Sequence, residues 1–228
     1  MTRRGPTGDG NSGLFGGRSR GQAHTLEGVM AALLVVIGVL LAYQAIVLTP
    51  TTAGTVDRDV TAHLGTRVGD VLRAANDDRA ISRVMRYWNT SGYNGTGSFK
   101  APAGVTVRRG LGYKFDTPPG RFGRLLNESF TQNGYVVNVY LEARDVSNPT
   151  ETTTYPLIKR GQPTSNAAVA SLTVTLYDYQ YQTRLAANGT LVPDENSARL
   201  GSLSDDRYFA GDLDGPVYNV VTVKVVVW

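Results

Sequence analysis

The sequence predicts an α+β protein with an N-terminal transmembrane helix, an amphipathic helix and a mainly antiparallel β-sheet outer domain, on three observations. Val29 to Leu48 is a run of twenty residues without a charge. Between Val56 and Trp88 apolar residues recur every three or four positions, the period of an amphipathic helix. Beyond residue 91 the period shortens to two, in segments rich in Val, Thr and Tyr separated by Gly, Pro, Asn and Asp, which reads as strands joined by turns. The expected organisation is a leader over 1–21, a transmembrane helix over 22–48, a hinge with an amphipathic helix over 49–90, and a β-rich domain over 91–228.

The leader has seven glycines among its 21 residues and no apolar periodicity, the composition of a flexible segment. Within it Gly8-Asp-Gly-Asn-Ser-Gly13 spells a dinucleotide-binding pattern, but no strand precedes it and no helix follows directly, so the match is accidental. The apolar run that follows is long enough to cross a bilayer, since twenty helical residues rise roughly 30 Å. A buried helix of a soluble domain usually keeps a polar face; here the polar side chains are Tyr43 and Gln44, close to one end. Arg3, Arg4, Arg18 and Arg20 precede the run against one acid, Asp9. Basic residues beside a span mark its cytoplasmic side, so the leader is expected inside and the β-rich domain outside the cell. A conventional signal peptide fits poorly, because the core is too long and no small-x-small cleavage site follows Leu41.

In the second helical segment Val56, Val60, Leu64, Val68, Val71, Leu72 and Ala75 form the apolar stripe, continued by Ile81, Val84, Met85 and Trp88 after an interruption expected near Asn76-Asp-Asp78. Thr49-Pro50 predicts a break or kink between the two helical segments, because proline lacks a backbone donor and disfavours helix at the residue before it. Strands are expected over 104–108, 135–142, 155–159, 169–179 and 217–228, with a short helix over 122–130. Irregular connections and the terminal strand VYNVVTVKVVVW suggest an antiparallel sheet against which helix packs.

The chemistry-bearing residues are few. There is no cysteine and there are two histidines, His24 and His63, which removes disulfides, thiolate chemistry and the commonest metal sites. No HExxH, P-loop or GxSxG pattern occurs, so the chain does not read as an enzyme and no cofactor is implied. The net charge of +4 is small and its cations dispersed, giving no footprint for nucleic acid. Asp205-Asp206 and Asp212-Leu-Asp214 form the densest acidic cluster; Asp212 and Asp214 are a weak calcium candidate, lacking the complete EF-hand loop and its final glutamate. Tyr177, Tyr179 and Tyr181 alternate and suit sugar or surface contact, or else a half-buried aromatic ladder. Four N-glycosylation acceptor patterns, at Asn89, Asn94, Asn127 and Asn188, all lie beyond the span, in agreement with an outer location. A fifth, at Asn148, is disqualified by Pro149.

Before the span stands Arg18-Ser-Arg-Gly-Gln-Ala-His-Thr-Leu-Glu27: a basic, glycine-containing leader, a short polar spacer, and one carboxylate opening the apolar helix. This arrangement resembles the class III signal peptide of archaeal type IV pilin-like proteins, in the style of haloarchaeal surface proteins. The resemblance implies that a prepilin peptidase cuts on the cytoplasmic side at Gly21-Gln22 and leaves the apolar helix attached, as a membrane anchor and then as the core of a filament. It implies membrane lipid and other pilin-like subunits, or further copies of the chain itself, as partners. Glutamate normally sits fifth in the mature chain of that family; Glu27 is sixth after a cut at Gly21-Gln22 and fifth after a cut one bond later. A carboxylate at the edge of hydrocarbon tends to have a partner, and the new α-amine of a neighbouring subunit would provide one and set register. The alternative is that Glu27 caps an uncleaved anchor, making the chain a single-pass cell-surface binding protein.

Overall fold

The computed structural model describes residues 18–89, 98–144, 151–203, 208–213 and 215–228, with side chains for all of these except 18–24 and 42–58. The chain divides into two compact units, Met1–Val56 and Asp57–Trp228. The long helix α1, Arg18–Asp77, begins in the first unit and ends in the second. It includes the last four residues of the expected leader, Arg18 to Gly21, which are therefore helical rather than irregular. It also continues through Thr49 and Pro50, where the sequence predicts an interruption. Proline costs a helix one backbone donor and about 3 kcal/mol, a penalty a long helix can carry without ending.

In the second unit the helical stripe is built from Leu64 onward, while Val60 near its expected start is 54% exposed and Trp88 at its expected end lies in a strand. Leu64, Val68, Val71, Leu72 and Ala75 are buried, and they share one hydrophobic cluster with the sheet. The helix stops where Asn76-Asp77-Asp78 was expected to interrupt it. The Asn76 carbonyl accepts from the Arg79 amide at 2.7 Å, and Arg79 adopts a left-handed backbone with φ 54°, a conformation an L-residue takes at a cost. A second short helix, α2 (Ala80–Met85), follows and buries Ala80, Ile81, Val84 and Met85. Asp78 forms an ion pair with Arg121 at the start of α3 (Arg121–Ser129).

The strands are β1 (Trp88–Asn89), β2 (Ser98–Phe99), β3 (Val137–Arg144), β4 (Thr152–Ile158), β5 (Ala168–Tyr177), β6 (Thr183–Leu185), β7 (Leu191–Pro193) and β8 (Val217–Val227). Four of them form one antiparallel sheet in the order β4-β3-β8-β5, while β1 pairs with β2 and β6 with β7. The α+β class and the antiparallel sheet expected from the sequence are thus observed. Residues 104–108 are not a strand. Gly104 has φ +80° and the Val105 amide turns back to Pro102, leaving one isolated bridge between Arg108 and Gly112. Val105 and Val107 still pack against the core, so their alternation reflects burial without a ladder.

Alternation decides which sheet face is covered. Val137, Val139, Leu141 and Ala143 of β3 lie opposite Val227, Val225, Val223 and Val221 of β8, and all eight are buried. The opposite face carries Tyr140, Glu142, Thr222 and Lys224, with a loose Lys224–Glu142 ion pair at 3.9 Å and a Thr173–Thr222 hydroxyl contact at 3.2 Å.

Two glycines separate tight packing from open helix surface. A Cβ on Gly123 would fall 1.7 Å from the Pro118 carbonyl oxygen, whereas one on Gly65 would meet nothing within 4 Å. Gly123→Ala is therefore expected to destabilise the chain by about 1–3 kcal/mol or more, and Gly65→Ala to stabilise it by roughly 0.5–1 kcal/mol. Urea unfolding of the full chain in detergent, followed by the fluorescence of buried Trp88, measures both; equal midpoints for the two variants would contradict this packing.

Candidate functional site

The apolar half of α1 has the composition of a core and the exposure of a surface. Successive helical residues are about 100° apart, so the five from Leu33 to Ile37 encircle the axis, and their side chains are 46–69% exposed. Leu26, Val29, Val39, Leu40 and Leu41 are also at least half exposed. No polar stripe interrupts this surface, so the helix has no side on which water is the better neighbour. Glu27 lies exposed at the start of the apolar stretch, and Gly21 and Gln22 lie in the first turns of α1. Residues 42–48 of the expected span lie outside the described side chains. Among the described residues, no helix is long and apolar enough to cross a membrane.

The other sequence-derived sites are distributed over the second unit. Asn89 is exposed at the end of β1, Asn127 is half-buried on α3, and Asn188 is exposed between β6 and β7. Asn94 lies outside the described residues. Of the acidic cluster, Asp212 is half-buried, while Asp205, Asp206 and Asp214 lie outside the described residues; among those described, no group of three or more His, Cys, Asp or Glu is placed to hold a metal ion. The three tyrosines do not share one strand face, because β5 ends at Tyr177. Tyr177 and Tyr179 stack at 5.5 Å. Tyr181 instead pairs with Arg199, whose guanidinium lies 5.0 Å from its ring and donates to its hydroxyl at 3.1 Å.

The sequence offered little warning of a polar cluster buried where α2 meets β6. Arg86 is 6% exposed; its Nε donates to the Ser82 carbonyl at 3.2 Å and its Nη1 to the Tyr181 carbonyl at 2.6 Å. The Tyr208 hydroxyl donates to the Met85 carbonyl at 2.8 Å. Thr183 returns two bonds, from its amide to the Arg86 carbonyl and from its hydroxyl to the Arg83 carbonyl. The cluster satisfies the orphan carbonyls at the end of α2 and fastens the β6–β7 hairpin to the helix. Burial lowers the Arg86 pKa, opposed by the nearby Tyr208. Burial also pushes the Tyr208 hydroxyl well up, aided by Tyr218 and opposed by Arg86. These partners are carbonyls and hydroxyls, a structural fastening rather than a nucleophile with its base.

A family model described as a family of unknown function, DUF7288, matches residues 20–227. The chain belongs to the DUF7288 family. The DUF7288 match takes in Glu27 and the apolar half of α1 as well as the β-rich unit, so the two units go together in this family. No curated protein and no solved structure matches the chain.

The buried tyrosines make alkaline stability a readout of this DUF7288 fold. Burial also raises Tyr113, whose hydroxyl donates to the Lys100 carbonyl. An unfolded tyrosine ionises near pH ~10. Folded-state pKa values above that mean the native chain holds these protons more tightly, so their contribution is complete below about pH 10 and is lost as pH rises above it. Tyr208→Phe should cost about 1–3 kcal/mol near neutrality by leaving the buried Met85 carbonyl unbonded, and should show a smaller further loss at high pH than the parent chain. Urea midpoints taken either side of pH ~10 check this; parallel alkaline losses in both proteins would rule out Tyr208 as a contributor.

Proposed function

We propose that this protein is a type IV pilin-like surface protein, a minor pilin subunit anchored by the apolar helix over 29–48, trimmed near Gly21-Gln22, and self-associating through that helix with residues 57–228 outside the cell. The observation that carries the reading is the all-round exposure of the apolar half of α1. Such a surface is stable in lipid or against other helices of the same kind, and costly in water. The same helix can therefore serve first as an anchor and later as filament core. Glu27 at its start offers a carboxylate with which the α-amine that cleavage would create on a neighbouring subunit could pair.

One observation favours a second reading, an uncleaved single-pass cell-surface binding protein. α1 begins at Arg18, so the expected scissile bond lies inside helix, and its first turn must unwind before a peptidase can read it as extended chain. Terminal helical turns open at low cost, so cleavage remains compatible with this geometry.

Mass spectrometry of the N-terminus in native membranes separates the two readings: a mature chain beginning at Gln22 or Ala23 supports the pilin-like subunit, and an intact leader defeats it. Glu27→Gln should leave membrane insertion unchanged and lower recovery in sheared filaments by roughly tenfold or more, because removing one member of a desolvated ion pair costs about 3–5 kcal/mol. Undiminished recovery would remove the pairing role from Glu27.

A further inference from the structure

We propose that Asn188, in the turn of the β6–β7 hairpin, is an N-glycan acceptor, modified from a lipid-linked, phosphate-activated sugar donor. The inference rests on the outward placement of residues 57–228 in the proposed function. Its own support is the geometry of one acceptor pattern compared with another.

An acceptor pattern is a sequence of three residues, but its use needs the asparagine accessible, as in a surface loop. The hairpin turn meets this condition. It is closed by the Ala186 amide donating to the Thr190 carbonyl and the Gly189 amide donating to the Ala186 carbonyl, both at 2.9 Å. Gly189 takes φ +76°, a backbone that glycine adopts without steric cost. This curvature brings Thr190 onto Asn188: the Asn188 Oδ1 accepts from the Thr190 amide at 3.1 Å and from the Thr190 hydroxyl at 2.6 Å. With Oδ1 held on that side, the Nδ2 end of the amide is left for a reacting partner, and Asn188 and Gly189 are both exposed.

Asn127 carries the same kind of pattern with the opposite geometry. It lies within α3, half-buried, where residues two apart point to different sides of the helix. Ser129 is thus directed away from Asn127, and presenting the pair to an enzyme requires melting the helix that buries Phe122 and Leu126. The base of the β6–β7 hairpin, in contrast, is held by Thr183 on α2, so the turn can be engaged without disturbing the core.

In the transfer, the Asn188 Nδ2 attacks C1 of the donor sugar. An N–C bond forms, the C1–O bond to phosphate breaks with its electron pair leaving on the lipid phosphate, and one Nδ2 proton passes to a base of the transferase. No oxidation or reduction is involved.

The test is glycopeptide mapping by mass spectrometry of the full-length protein from the cells that make it, with protease shaving of the same intact cells. A glycan mass on the Asn188 peptide, retained in Thr190→Ser and lost in Thr190→Ala, is the expected result, with the Asn127 peptide unmodified. An unmodified Asn188, a glycan on Asn127 in its place, or undiminished occupancy in Thr190→Ala overturns the inference. Shaving tells the two failures apart: if residues 57–228 are cleaved from intact cells while Asn188 is bare, only the glycan assignment falls, and if they are protected, the surface reading falls with it.

Discussion

The second unit is organised by the burial of β8. This strand is hydrogen-bonded on both sides, to β3 and to β5, and sends Val221, Val223, Val225 and Val227 into the core. A strand in that position cannot slip, because a shift of one residue would turn all four valines outward and bring Thr222 and Lys224 inward. The registers of β3 and β5 follow from it. So does the need for a cover on the inner face, which the stripe from Leu64 to Ala75 and α2 supply within one hydrophobic cluster.

A cover of helix over sheet leaves helix ends to be satisfied, and the cluster around Arg86 answers that need. The end of α2 is closed by long side chains, and by Thr183 from a strand nearly 100 residues away in sequence. Around this point Trp88, Phe99, Tyr208 and Phe209 pack with ring centroids between 4.7 and 6.0 Å. Aromatic burial here supplies apolar area, and the hydroxyl and guanidinium groups keep their hydrogen bonds. Desolvation is tolerated because the Arg86 guanidinium and the Tyr208 and Thr183 hydroxyls face carbonyl oxygen.

The first unit poses the reverse problem. Its helix displays Leu, Val and Ile around a full turn, so the sequence rule that satisfies the second unit, apolar residues on one side only, does not apply. An environment that is apolar all round accounts for such a helix, and both lipid and a bundle of like helices meet that description. The proposed function joins these two solutions in sequence, with a second folded unit that carries its own core.

Periodicity made much of this legible. The stripe from Leu64 to Met85, its interruption at Asn76 to Asp78, the helix near 122–130 and the four long strands were readable because side chains on one face repeat at 3.6 or 2 residues. The apolar run of α1 was equally plain from its length. Strand order, the Arg86 cluster and the meeting of Thr190 with Asn188 were not readable, and residues 104–108 alternate without forming a strand. Each of these depends on which segments become neighbours across the chain or on how a turn curves, and a linear pattern records a residue's preference for burial, not the partner that buries it.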